Sequence, residues 1–157
     1  MEKNGIEILP INYKEVPAVK KPIDGHGGQG VVMINEKESF ESGFVYQKPC
    51  ATLGKDLRVW AIGNDIITSI IFLSSITSIL RESDTDFRSN FCLGGRATPY
   101  KMNEKEKSLV KRILSLVESD YIGIDFLFDG GHLIFNEIED TVGARMVYDK
   151  TDIDIIK

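Results

Sequence analysis

The chain has 157 residues, 42% of them hydrophobic, with 19 basic and 24 acidic side chains and a net charge of −5. That length buries one ordinary core, and the composition excludes a disordered or fibrous chain. The acidic balance argues against a nucleic-acid partner gripped through its phosphate backbone.

Ala18-Val19-Lys20-Lys21-Pro22 reads as a short strand entering Asp24-Gly25-His26-Gly27-Gly28-Gln29-Gly30, and Val31 to Ile34 as the strand leaving it. A dinucleotide or Walker loop would open a helix and carry its own signature, so neither fits. Glycines at 25, 27, 28 and 30 allow backbone N–H groups to face an anion; alone, the cluster reads equally as a hairpin tip. Gly43 to Pro49 and Asp56 to Gly63 read as further strands of a mostly antiparallel sheet. Asp56 and Arg58, two residues apart, share a face.

Ile-Thr-Ser-Ile occurs at 67–70 and again at 76–79, a local duplication with a period of nine residues. The uncharged run from Ile66 to Leu80 falls short of the roughly 18 residues of a membrane span, so no membrane partner is expected. Because nine is odd, an insert within a strand would turn every later side chain to the other face. The duplication is expected to loop out or lengthen a hairpin.

Asn103 to Glu118 has apolar residues at helical spacing, and Asn103 with Glu106 forms a capping-box start. Gly123 to Phe128 and Leu133 to Asp140 read as two strands around a Gly130-Gly131 turn. This hairpin brings Asp125, Glu137 and Glu139 together, a trio suited to a cation, with Asp140 ranked below them. Thr151 to Lys157 reads as the opening turn of a helix. Cys50 and Cys92 are read as spectator thiols, and with no export leader visible the expected compartment is the cytoplasm.

Taken in order, Lys21, the glycine loop, Gln47 to Asp56, Arg58, Asp86-Phe87-Arg88-Ser89-Asn90, Asp125 and Asn136-Glu137-Ile138-Glu139 resemble the RimK-like branch of the ATP-grasp ligases, over about residues 15–157. The resemblance implies an α+β, ATP-grasp fold of antiparallel sheets with packed helices, gripping ATP between two lobes. It also implies a ligase that joins a carboxylate to an amine, an amino acid or peptide, through an acyl phosphate.

The resemblance further implies a role for each matched residue. Lys21, Gly25, Gly27 and Gly28 hold the ATP phosphates. Gln47, Lys48, Pro49 and Cys50 form the hinge that reads adenine, and Asp56 closes the nucleotide stretch. Arg58 and Arg88 serve catalysis, with Arg88, Ser89 and Asn90 around the phosphates. Asp125 and Glu137 bind Mg²⁺, or Mn²⁺ as the alternative ion, and Glu139 joins them where the family more often has asparagine. His26 and His132 receive no role.

Compared with that family, the chain reads as shortened at its N-terminus and in its last helix. Residues 15–50 are expected to be a remnant of the N-terminal ATP-grasp lobe, and 51–157 the C-terminal lobe with the metal site. A partner chain supplying the rest, or a homo-oligomer, follows as an expectation. The alternative functions are a non-catalytic nucleotide-binding fragment or split-ligase subunit, and a phosphotransferase that stops at its phosphorylated product.

Overall fold

A computed structural model describes residues 1–25, 27–36, 41–62, 77–89 and 94–153. His26, Asn90, Cys92 and most of the duplicated 67–80 stretch lie outside the described residues.

Two antiparallel sheets make up the architecture. The smaller has β1 (Ala18–Pro22) between β2 (Val32–Ile34) and β3 (Phe44–Gln47). The larger has the order β6-β5-β4-β7-β8, built from β4 (Thr52–Ile62), β5 (Thr77–Glu82), β6 (Arg96–Pro99), β7 (Tyr121–Asp129) and β8 (His132–Glu139). Helix α1 (Glu104–Leu114) covers one face of it, and the short α2 (Arg145–Lys150) packs near β5 and β6. Among the described residues no helix is long and apolar enough to cross a membrane.

Period-two alternation decides what each face of the large sheet carries. Leu57, Val59, Ile122, Ile124, Phe126, Phe128 and Leu133 form the main core with Val110 and Ile113 of α1. An 11-residue helix is marginal alone, so these buried side chains, each worth about 1.5–3 kcal/mol, decide its stability. The expected capping box is present: Asn103 Oδ1 accepts from the N–H groups of Lys105 and Glu106, and the Glu106 carboxylate accepts from Asn103 N–H. The intervening positions, Asp56, Arg58, Arg81 and Asp125, turn their charges to the other face, towards the small sheet.

The first dozen residues, which the sequence reading left without a role, connect the two sheets. Ile8 bridges in parallel to Phe135 on edge strand β8, and Ile11 bridges antiparallel to Gln47 on edge strand β3. Ile6 and Leu9 are buried. A short helix, Arg145–Lys150, precedes the C-terminal segment, and Thr151 ends it in an extended conformation at φ −140°, ψ 163°, with its hydroxyl bonded to Val147 O. The helical turn expected from Thr151 to Lys157 falls mostly outside the described residues, which stop at Ile153.

Candidate functional site

A cavity of about 610 Å³ opens between the sheets. Its lining includes Lys21, Gly25, Gly27, Gly28, Gln47 to Cys50, Asp56, Arg58, Arg88, Ser89, Asp125, Glu137 and Glu139, so every described residue expected at the site reaches it. Arg81, Asn136 and Arg145 line it too. None of those three was given a role from the sequence.

The two lysines of β1 separate by strand alternation. Lys20 faces away, pairing with Glu41 at 2.9 Å and lying 4.4 Å from the centre of the Phe44 ring. Lys21 faces the cavity and donates to Asn136 Oδ1 at 3.1 Å, across from one sheet to the other. Burial pushes its ammonium below the ordinary lysine value, against the pull of Glu137. Asn136 can reach it because it is the extra residue of a β-bulge: Asp125 pairs with Glu137 while Phe126 pairs with Phe135.

Four charges interlock on the inner face of the large sheet. Arg81 is paired across the strands with Asp56, and Arg58 with Asp125. Arg81 binds both Asp56 oxygens, at 2.5 and 2.9 Å, and donates to Asp125 Oδ2 at 2.9 Å. Arg58 binds Asp125 through Nε at 2.7 Å and Nη2 at 2.6 Å, and its Nη1 lies 2.5 Å from Glu139 Oε2. Burial alone would raise the Asp125 carboxyl, but two guanidinium groups hold it below the usual carboxylate range. Asp56 has one guanidinium and the Ser89 hydroxyl, and burial prevails there, pushing it up. Arg81 itself is pushed up, because the two carboxylates outweigh its burial.

Asp125, Glu137 and Glu139 do not stand together around one point. Among the described residues no three His, Cys, Asp or Glu side chains are placed to hold a metal together. Asp125 is the reason: its side chain is 5% exposed and turned into the sheet towards Arg58 and Arg81. Glu137 and Glu139 differ. Glu137 projects into the cavity where solvent reaches it, yet surrounding protein and the Asp125 carboxylate raise its carboxyl above the usual range. Glu139 Oε2 is buried and, despite its closeness to Arg58, accepts no hydrogen bond from the described residues. Glu137, open to the cavity, and Glu139 beside it offer the oxygen donors that suit a hard divalent cation, with Asp125 able to join only by releasing an arginine.

Arg88 ties the glycine loop to the large sheet. It chelates Asp86 through Nε at 3.0 Å and Nη2 at 2.6 Å, and Nη1 donates to Gly28 O at 3.2 Å. The bonds from the Arg88 side chain and from its backbone N–H outweigh desolvation and bring the Asp86 carboxyl down to about 2. Gly27, Gly28 and Gly30 all have positive φ, 59°, 75° and 71°, as a loop that turns its backbone towards an anion requires. Ser89 is buried, and its hydroxyl serves Asp56. At the hinge, Lys48 N–H donates to Pro10 O at 2.9 Å, and Pro49 has no N–H to offer. The half-buried Cys50 thiol donates to Thr52 O at 3.0 Å, and burial raises its pKa.

The chain is similar in sequence and in structure to known proteins. A probable alpha-L-glutamate ligase of Maridesulfovibrio salexigens is 28% identical over 142 residues, covering 88% of this chain and 47% of that protein. Another from Pasteurella multocida is 25% identical over 148 residues, covering 92% and 47%. The chain spans about half the length of the curated relatives it matches. The solved ATP-grasp ligase PsnB, complexed with a phosphomimetic variant of its minimal precursor, Mg and ADP, has a TM-score of 0.68 at 18% identity. That match covers 98% of this chain and 51% of PsnB. D-cycloserine synthetase DcsG has a TM-score of 0.66 at 10% identity, covering 96% and 63%. The fold is thus that of the ATP-grasp ligases, and because the RimK-like ATP-grasp domain matches residues 3–157, the chain belongs to that family.

Proposed function

We propose that the chain carries the nucleotide and phosphoryl-transfer site of an ATP- and Mg²⁺-dependent carboxylate–amine ligase. The observation that supports this most is the meeting, in one cavity, of Lys21 and the glycine loop from the small sheet with Arg58, Arg88, Glu137 and Glu139 of the large lobe.

The chemistry follows from charge. ATP and a substrate carboxylate repel each other, so cationic groups must neutralise the phosphates and hold the acid oxygen in line with the γ-phosphorus. Lys21 and Arg88 would bind phosphate oxygens, and Arg58, which stands between Asp125 and Glu139, would support the transferring group. Glu137 and Glu139 would hold Mg²⁺, with Mn²⁺ as the alternative, and the ion would supply further neutralisation of phosphate charge. The acid oxygen bonds to phosphorus as the bond to ADP breaks, leaving an acyl phosphate. An amine then attacks the acyl carbon, loses a proton, and phosphate departs, with cationic groups steadying the oxyanion. Amino acids or peptides are the substrate class, in keeping with the precursor peptide bound by PsnB.

One observation favours a second reading, a nucleotide-binding module completed by a partner chain. Arg58, the group best placed for catalysis, has Nε, Nη1 and Nη2 all against carboxylates. The test measures ADP release from MgATP with glutamate and candidate acceptors. Turnover that disappears in Glu137→Ala supports the ligase; MgATP binding without turnover under any substrate set leaves the module; stable phosphorylated product identifies a phosphotransferase.

A further inference from the structure

Residues 48–51 carry the chain from Gln47, at the end of β3, to Thr52, at the start of β4. They belong to neither ladder, so their amide groups are fixed by bonds from elsewhere in the fold. The hold of the large sheet on this crossing is thin. Thr52 pairs with Phe128, but the β4 irregularity separates that pair from the continuous register that begins with Asp56 and Leu127.

The crossing is pinned at both ends. On the small-sheet side, Lys48 N–H donates to Pro10 O at 2.9 Å. On the large-sheet side, Ala51 N–H donates at 2.6 Å to Oδ1 of Asp129, the last residue of β7 and 78 positions further along the chain. Pro49 has no N–H. That leaves the N–H of Cys50, which donates to no other described residue, as the unspent donor of a segment that lines the cavity. Pro10 contributes a backbone oxygen that no substitution removes, whereas Asp129 holds its end through a side chain. A carboxylate accepting from an amide makes a charge-assisted bond, about twice as strong as a neutral one.

We propose that Asp129 is a positioning residue for the nucleotide base: by holding Ala51 N–H it fixes the Cys50 N–H as the donor from which a ring nitrogen of adenine accepts. This rests on the nucleotide reading above, which puts the base at the hinge. Asp129 stands outside the cavity lining and acts through Ala51 and Cys50.

The test compares the full chain with Asp129→Asn, which keeps Oδ1 as an acceptor, and Asp129→Ala, which removes it. Calorimetry measures MgAMPPNP affinity, and NMR follows the individual amide groups. Asp129→Ala is expected to weaken MgAMPPNP binding about tenfold, while Asp129→Asn stays within about threefold of the unmodified chain. At saturating nucleotide the Cys50 amide is protected from exchange in the unmodified chain and in Asp129→Asn, and loses that protection in Asp129→Ala. The Gly27 and Gly28 amides, at the phosphate end, shift alike in all three, whereas a merely structural role would disturb both ends of the cavity together. Asp129→Glu, which displaces the acceptor by a methylene at unchanged charge, should show the same pattern and decides the matter if Asp129→Ala fails to fold. Undiminished affinity in the variant lacking the acceptor, Cys50 protection that is equal or absent in every chain, or Gly27 and Gly28 shifts lost along with it overturns the assignment of Asp129 and leaves the nucleotide reading standing. Failure of the unmodified chain to bind MgAMPPNP overturns both.

Discussion

Lys21 and Asn136, 115 residues apart in sequence, meet at 3.1 Å and join the strand before the glycine loop to the bulge of the acidic hairpin. The bond selects Lys21 over Lys20, whose side chain is occupied with Glu41 and Phe44 on the other face of β1. Lys21→Met is expected to weaken MgAMPPNP binding by roughly tenfold to a hundredfold, the worth of one or two charge-assisted hydrogen bonds. Lys20→Met, measured by the same calorimetry, should leave the affinity within about threefold. Equal losses in the two variants would refute the assignment.

Arg81 is the hub of the buried charges, with its side chain only 3% exposed. Removing it leaves Asp56 and part of Asp125 in the sheet interior without their counter-charge. Arg81→Met is therefore expected to lower stability by about 3–5 kcal/mol in urea unfolding, far more than the loss of a surface ion pair. A cost under about 1 kcal/mol would mean that the network relaxes or admits water.

Gly54 lies in the β4 irregularity between Thr52 and Asp56, at φ 65°. A methyl group there would come within 2.6 Å of Ser83 O and 2.8 Å of Asp86 O, both backbone atoms that cannot swing aside. Its own N–H and C=O bond to Phe87 O and Ser83 N–H, each at 2.8 Å, holding the segment that presents Arg88. Gly54→Ala should cost about 2 kcal/mol or more through strain and displaced backbone. Thermal unfolding measures this, and the surviving folded protein should bind nucleotide more weakly because Arg88 is displaced.

The Asp86–Arg88 pair gives a pH dependence of definite sign. Asp86 titrates at about 2 in the folded protein against an ordinary 3.8. A carboxyl lowered by folding contributes its stability in full above the unfolded value and loses it as pH falls from about 4 through about 2. Carboxyl NMR should find the Asp86 midpoint near 2. In Arg88→Gln it should move part of the way back, because the backbone N–H of Arg88 still donates to Asp86 Oδ1 at 2.8 Å. A midpoint near 3.8 in the unmodified chain would count against this geometry.

The local elements were legible where a local rule governs them. Alternation with a Gly-Gly turn marks the β7–β8 hairpin, and Asn103 with Glu106 marks the start of α1. The four-residue β6 and six-residue α2 were not found, because segments so short take their structure from packing, as Met146 and Val147 do against Trp60. Arg81 was missed for a similar reason. In sequence it is one charge near Glu82, and its partners arrive from β4 and β7.

By itself, the sequence determined which residue types the chain can bring to a phosphate site and which of them alternate onto a common strand face, since both follow from side-chain chemistry and backbone period. Only the tertiary structure decided who pairs with whom. Asp125, a metal ligand by its place in the motif, is claimed by two guanidinium groups from neighbouring strands, because a carboxylate taken out of water is held by the nearest buried positive charge. Asn136 became a partner of Lys21 through a one-residue bulge, and Arg145 reached the cavity mouth through the packing of α2, relationships that exist only once distant strands are brought together.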